Sequence, residues 1–282
     1  MVYEYNTLKV IADSEVLEVT INNPPVNVMS LELYSELVDL TAKVEKDDSV
    51  KVVIFQSANP DFFIAHFDVE AILQFPVDSP AERDSKLSDF HLMCERVRTM
   101  PKATLVKMAG RAGGGGNEFA ASCDMRFGLA NKTVINQMEV ALGILPGGTG
   151  TQRLPRLVGR GRAMEVCLGC DDIDAKTAES WGYLNRVFDS VTELDEFVAS
   201  LAYRISLWPL EAISRCKSSI NNAEMPWQEG LVEEAFLFQE TLRTSSAQKN
   251  MRVALDSGLQ TTEGEMNMGQ LCVEFGESAR QK

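Results

Sequence analysis

The chain has 282 residues, of which 45% are hydrophobic and 24% charged, with a formal net charge of −14. That length and balance fit a globular protein with one large domain, or one domain with an appendage, and a sizeable core. The acidic excess argues against nucleic acid as the main partner, because neutralising phosphates needs concentrated Lys and Arg, and no apolar run approaches the ~20 residues that span a bilayer.

In chain order, Val16–Ile21 reads as a strand, and Leu31–Glu45 as a helix with Leu33, Leu37, Leu40 and Val44 at helical spacing. Residues 52–55 form a second apolar strand, and residues 75–83, with Pro76, Asp78, Ser79 and Pro80, read as a loop. Residues 87–100 place Leu87, Phe90, Cys94 and Val97 on one helical face and stop before Pro101. Residues 104–108 and, more weakly, Met125–Leu129 are further strands, so strand-turn-helix units repeat and the fold class is α/β. After about Ala175 the strand signals fade. Residues 192–205, 210–220 and Trp227–Leu242 read as helices, the last two opened by Pro209 and Pro226. Apolar stripes on helices outside a sheet need burial, on the core or on a neighbouring subunit. The polar residues 276–282 read as a frayed end.

The stretch Gly110-Arg111-Ala112-Gly113-Gly114-Gly115-Gly116-Asn117-Glu118 lies between an apolar strand and a helix. Such a run is common in plain loops, but it also lets backbone amides approach a ligand closely and makes a candidate oxyanion hole. Six scattered cysteines and no opening secretory segment point to a reducing, cytoplasmic setting. The lone pair Cys167 and Cys170 lacks the second pair of a zinc site, and two histidines, His66 and His91, are too few for a histidine-rich one, so no metal is expected. Arg153, Arg156, Arg160 and Arg162 are the densest basic stretch, read either as a solvated helix face or as a local site for an anionic small molecule.

Several motifs recur in an order that resembles the crotonase, or enoyl-CoA hydratase/isomerase, superfamily. They are Asn22-Asn23-Pro24-Pro25-Val26-Asn27-Val28-Met29, Phe63-Ile64-Ala65-His66-Phe67-Asp68, the segment from Met100 through the glycine run, Gln137-Met138-Glu139, residues 142–154 and residues 175–187. The resemblance implies a crotonase-like spiral of strand-strand-helix units over about residues 1–200, with a helical oligomerisation region over 201–282 that builds a homotrimer or homohexamer. It implies an acyl-CoA or carrier-bound acyl thioester as substrate, with no cofactor beyond it, and no membrane or nucleic-acid partner. By position it assigns the oxyanion-hole amides to Phe67 and Gly115 and the paired catalytic acids to Glu118 and Glu139, with Ala65, His66, Asp68, Gly114 and Gly147 shaping the substrate site. Two acids in one partly desolvated pocket have their protonation states pushed apart, which suits hydration of a 2-enoyl thioester.

Two departures bear on the site. His66 stands where the family usually has glycine, and Met138 where proline usually precedes the second glutamate; Glu70 also replaces a common lysine. Alternatives on the same scaffold are an enoyl isomerase, a thioester hydrolase or decarboxylase, and a non-catalytic binding protein. Without the motif set, Glu118 reads as a helix N-terminal charge and Glu139 as a surface loop residue.

Overall fold

The computed structural model describes residues 2–75, 86–261, 264 and 266–281. Two strands, β1 (Leu8–Asp13) and β2 (Val16–Ile21), pair antiparallel, and β2 buries Leu17, Val19 and Ile21 on alternate positions, the period expected of a strand with one covered face. Helix α1 (Leu31–Glu45) follows. The Ser30 hydroxyl accepts from the Leu33 N–H at its start, Glu32 and Lys43 sit at the ends the helix dipole favours, and Leu33, Leu37, Leu40 and Val44 are buried.

Three successive turns then each give one strand to a larger sheet and the next strand to a smaller one. The pairs are β3 (Val52–Ser57) with β4 (Phe62–Ile64), β5 (Ala103–Met108) with β6 (Arg111–Gly113), and β7 (Met125–Leu129) with β8 (Val134–Asn136). Helices α2 (Val69–Ile72) and α3 (Asp89–Thr99) follow the first pair, and α4 (Gly114–Ser122) the second. A 3-10 turn at Glu139–Leu142 then leads to α5 (Gly150–Val158), α6 (Arg160–Gly169), β9 (Ile173–Asp174), α7 (Ala175–Ser180) and β10 (Arg186–Phe188). The larger sheet runs β1-β2-β3-β5-β7-β10 and the smaller β4-β6-β8-β9. Edge-to-face packing of Phe55 on Phe119, with centroids 5.0 Å apart, ties α4 to the larger sheet.

Residues 1–98 and 104–199 form one compact unit, and residues 99–103 and 200–282 a second. The second contains the end of α8 (Val191–Ser206), then α9 (Leu210–Asn221), α10 (Trp227–Leu242), α11 (Ser245–Asp256) and α12 (Met268–Gln281).

Three expectations need correction. The helix expected over residues 87–100 starts at Asp89, because the Ser88 hydroxyl caps it by accepting from the His91 N–H at 3.3 Å. Strand structure persists past Ala175, since β10 pairs in parallel with β7. Residues 276–281 are not frayed but end α12: Gly276 and Ala279 are buried, the Phe275 ring lies 6.3 Å from that of Trp208, and Tyr203 donates to Glu277. The loop expected over 75–83 falls, from residue 76 onward, outside the described residues.

Candidate active site

Helix α4 begins at Gly114, with φ 45°, so three of the four glycines form its first turn rather than a preceding loop. A Cβ at Gly116 would strike the Ile64 carbonyl, so glycine here lets the helix lie against β4. One turn in, Glu118 is only 3% exposed. Its Oε1 accepts three consecutive backbone N–H groups, from Gly148 at 2.8 Å, Thr149 at 3.0 Å and Gly150 at 2.7 Å. Bringing those amides together places Thr149 at φ 144°, where a side chain is strained. Burial pushes the Glu118 carboxyl above its ordinary value, while the three amide bonds favour the charged form and oppose that shift.

Glu139 opens the 3-10 turn after β8 and is half-buried. Desolvation, helped by the field of Glu118, raises its carboxyl to about 7. The buried Gln137 amide orients its nitrogen toward this carboxylate, 2.9 Å from Oε2 and 3.2 Å from Oε1, the orientation in which both ends of the amide find complementary partners. Gln137 stood in the sequence only as part of a motif; its hold on Glu139 needed the fold.

Both carboxylates reach a cavity of about 510 Å³ whose walls include Gly115, Gly147 and Gly148 together with Phe67, Ile144 and Leu145. Tyr34, Phe67 and Phe90 pack there as a three-ring cluster with centroids 5.7 to 6.0 Å apart. A Cβ on Gly148 would collide with Glu118 Oε2 and come within 2.5 Å of Phe90 Cε1, so this position holds the acid and the ring in contact. Phe90 carried no sequence signal beyond helical spacing, and Tyr34 carried none.

Phe67 and Gly115 meet at the same wall. A Cβ on Gly115 would lie 3.5 Å from the Phe67 nitrogen and 3.1 Å from its Cβ. Gly115 is in the first turn of α4, where no earlier helical carbonyl serves its N–H. The bridge between Met29 and Phe67 is made by the His66 carbonyl and the Asp68 amide, leaving the Phe67 amide outside it.

Of the remaining expected residues, Gly147 lines the cavity, whereas Ala65, His66, Asp68 and Gly114 are not among its lining residues. Gly114 is bracketed by the Glu139 carboxylate and the His66 Cβ, the Ala65 carbonyl closes on Gly113, and His66 Nδ1 lies 2.8 Å from the Phe67 carbonyl. The Asp68 carboxylate caps α2, accepting from the Glu70 N–H at 2.9 Å. Arg153 is buried and pairs with Glu95, while Arg156 is exposed and bonds the Gln152 carbonyl, so the arginine stretch splits between packing and solvent. Cys167 and Cys170 are free thiols on and just after α6. Among the described residues no group of three or more His, Cys, Asp or Glu is placed to hold a metal, and no helix is long and apolar enough to cross a membrane.

The family model described as enoyl-CoA hydratase/isomerase matches residues 12–257. A Rhizobium meliloti protein named "Probable enoyl-CoA hydratase" is 32% identical over 252 residues, covering 88% of this chain and 94% of that protein. A Streptomyces avermitilis chain, solved as a candidate enoyl-CoA hydratase, is 36% identical with a TM-score of 0.69 and covers 97% of this chain and 100% of its own. The crystal structure of enoyl-CoA hydratase from Bacillus anthracis superposes with a TM-score of 0.79 at 25% identity, over 89% of this chain and 96% of that one.

Proposed function

The chain belongs to the enoyl-CoA hydratase/isomerase family, and we propose that it adds water across the double bond of a 2-enoyl thioester, carried by coenzyme A or by a carrier protein. The observation that carries this reading is the pair of carboxylates on one cavity, held in different environments on a wall that also carries Phe67 and Gly115. One buried and one half-buried acid, so differently supported, suit a reaction that takes a proton from water at one and gives a proton to carbon at the other.

Glu118 Oε1 is occupied by three amides, which leaves Oε2 to take a proton from water as the water oxygen bonds to the β-carbon. The alkene electron pair moves through the α-carbon onto the thioester oxygen, where the Phe67 and Gly115 amides stabilise it; a donor of this kind contributes about 3–4 kcal/mol to a transition state. Glu139, with its carboxyl near 7, gives a proton to the α-carbon as the enolate collapses. The product carries the hydroxyl on the β-carbon and the hydrogen on the α-carbon, and a proton passes through solvent to restore both acids. Gly147 borders the attacking water, and Ala65, His66 and Asp68 shape the chain around the Phe67 amide as Gly114 shapes the helix start before the Gly115 amide. The helices beyond residue 200 assemble the chain into a trimer or a dimer of trimers, a role supported by the exposed Val232, Phe236 and Phe238 of α10. Hydration of crotonyl-CoA, followed by loss of enoyl absorbance, tests the reading; a folded protein that binds the thioester and leaves it unchanged overturns it.

A further inference from the structure

Glu139 is gripped by more than Gln137. The Gln137 oxygen accepts from Asn117 Nδ2 at 3.1 Å, and Asn117 Oδ1 accepts from the Tyr183 hydroxyl. Gln137, Asn117 and Tyr183 are all 0% exposed. Their hydrogen bonds form one ordered chain, since a phenol donates to an amide oxygen, and each amide then donates onward through its nitrogen. Every donor points toward Glu139. Two amides cannot pass a proton along, so the chain acts by holding and polarising the Glu139 carboxylate, not by conducting.

The far end of the chain is itself anchored. Gly182, at φ 83°, turns the backbone after α7 and sends Tyr183 inward. The Arg126 guanidinium lies 5.2 Å from the Tyr183 ring centroid, donates to the Tyr183 carbonyl at 2.7 Å, and donates to the Cys123 carbonyl at the end of α4 at 2.7 Å. Asn117 and Glu118 are neighbours on α4. One helix therefore fixes both acids, Glu118 directly and Glu139 through the Asn117 side chain.

We infer that Tyr183, acting through Asn117 and Gln137, is a positioning residue for Glu139, holding its carboxylate in register with the cavity and favouring the charged form it takes after giving up a proton. The inference rests on the proposed role of Glu139 as the proton donor. Its consequence has a definite sign. Removing the Tyr183 hydroxyl frees Asn117 to turn and weakens donation from Gln137, so the Glu139 carboxylate is less favoured and its titration moves to higher pH. Among the described residues, the other titratable groups facing Glu139 are Glu118 and the Cys167 thiol on α6, with His66 across Gly114. Tyr183→Phe touches none of them.

The test uses the full chain labelled with carboxyl-¹³C glutamate, with the Glu139 resonance assigned by its loss in Glu139→Gln, and follows its titration without substrate. Tyr183→Phe and Asn117→Leu should each raise the midpoint by about half a unit to one unit, and lower kcat about five- to ten-fold with little change in KM, the effect of one hydrogen bond. The double variant should match either single, because both cut the same chain. In the wild type, the ¹³Cζ resonance of Tyr183 should shift with the same midpoint as Glu139, a readout that needs no variant to fold. A flat Tyr183 signal through that titration, or folded variants with an unmoved midpoint, overturns the inference. A wild type that fails to hydrate enoyl thioesters while the two resonances still titrate together refutes the proposed reaction and leaves the coupling standing.

Discussion

Replacing Gly148 by alanine tests the contact on which the first acid depends. The added Cβ would overlap Glu118 Oε2 and lie 2.5 and 2.8 Å from Phe90 Cε1 and Cδ1, so a carboxylate and a packed ring must both give way. Neither moves freely. Glu118 is tied by three amides, one of them from Gly148 itself, and Phe90 is stacked on Tyr34 and packed edge-to-face against Phe67. Overpacking of this kind costs about 1–3 kcal/mol of stability, and displacing the carboxylate by about 1 Å lowers kcat on the order of 10²-fold. Urea denaturation gives the first quantity and crotonyl-CoA hydration at saturating substrate the second. Gly161→Ala is the control, because nothing lies within 4 Å of its added Cβ on α6 and alanine suits a helix. Activity of Gly148→Ala within about two-fold of Gly161→Ala, too little for so large a displacement, would refute the proposed positioning of Glu118.

Other outcomes follow from the same geometry. Glu139 is raised from its ordinary value to about 7, so the folded chain binds a proton that the unfolded chain releases between those limits, and stability falls as pH rises through that window. Glu139→Gln removes the effect and should gain about 1–2 kcal/mol over wild type at pH 8 relative to pH 4.5, after allowing for solvent screening, as measured by denaturation at both values. Gly115→Pro deletes one proposed amide donor and should lower turnover about 10²- to 10³-fold, whereas Cys167→Ser combined with Cys170→Ser should leave turnover nearly intact; equal losses would point to chemistry at the thiols. Sedimentation at micromolar concentration should give a trimer or dimer of trimers, and a stable monomer would remove the assembly role assigned to the helices beyond residue 200.

The legible parts of the fold were those whose signal is local. Leu31–Glu45 carries four leucine or valine positions at helical spacing, and Trp227–Leu242 is opened by Pro226; both have the expected bounds. Strands such as Phe62–Ile64, Arg111–Gly113 and Val134–Asn136 are three residues long, too short to display a period. Glycine's poor helix propensity hid the start of α4, which forms because a helix without side chains on that turn can lie against Ile64. At the site, the ordered motifs named Glu118 and Glu139, and the fold brings both to one cavity. What holds them was not legible. The amides that bind Glu118 lie some thirty residues along the chain, and Asn117 meets Gln137 and Tyr183 only after three elements have closed.

In the proposed reaction water itself is the reactant, and two carboxylates handle it. Turnover of crotonyl-CoA in ¹⁸O-labelled water, read by mass spectrometry, tests this most directly. The wild type should place one ¹⁸O on the β-carbon of the acyl group, Glu118→Gln and Glu139→Gln should each slow that incorporation by orders of magnitude while keeping native circular dichroism, and the double variant should be little slower than either. Isomerised product without ¹⁸O, release of free acid, or full incorporation in both single variants would rule out hydration by this pair of acids.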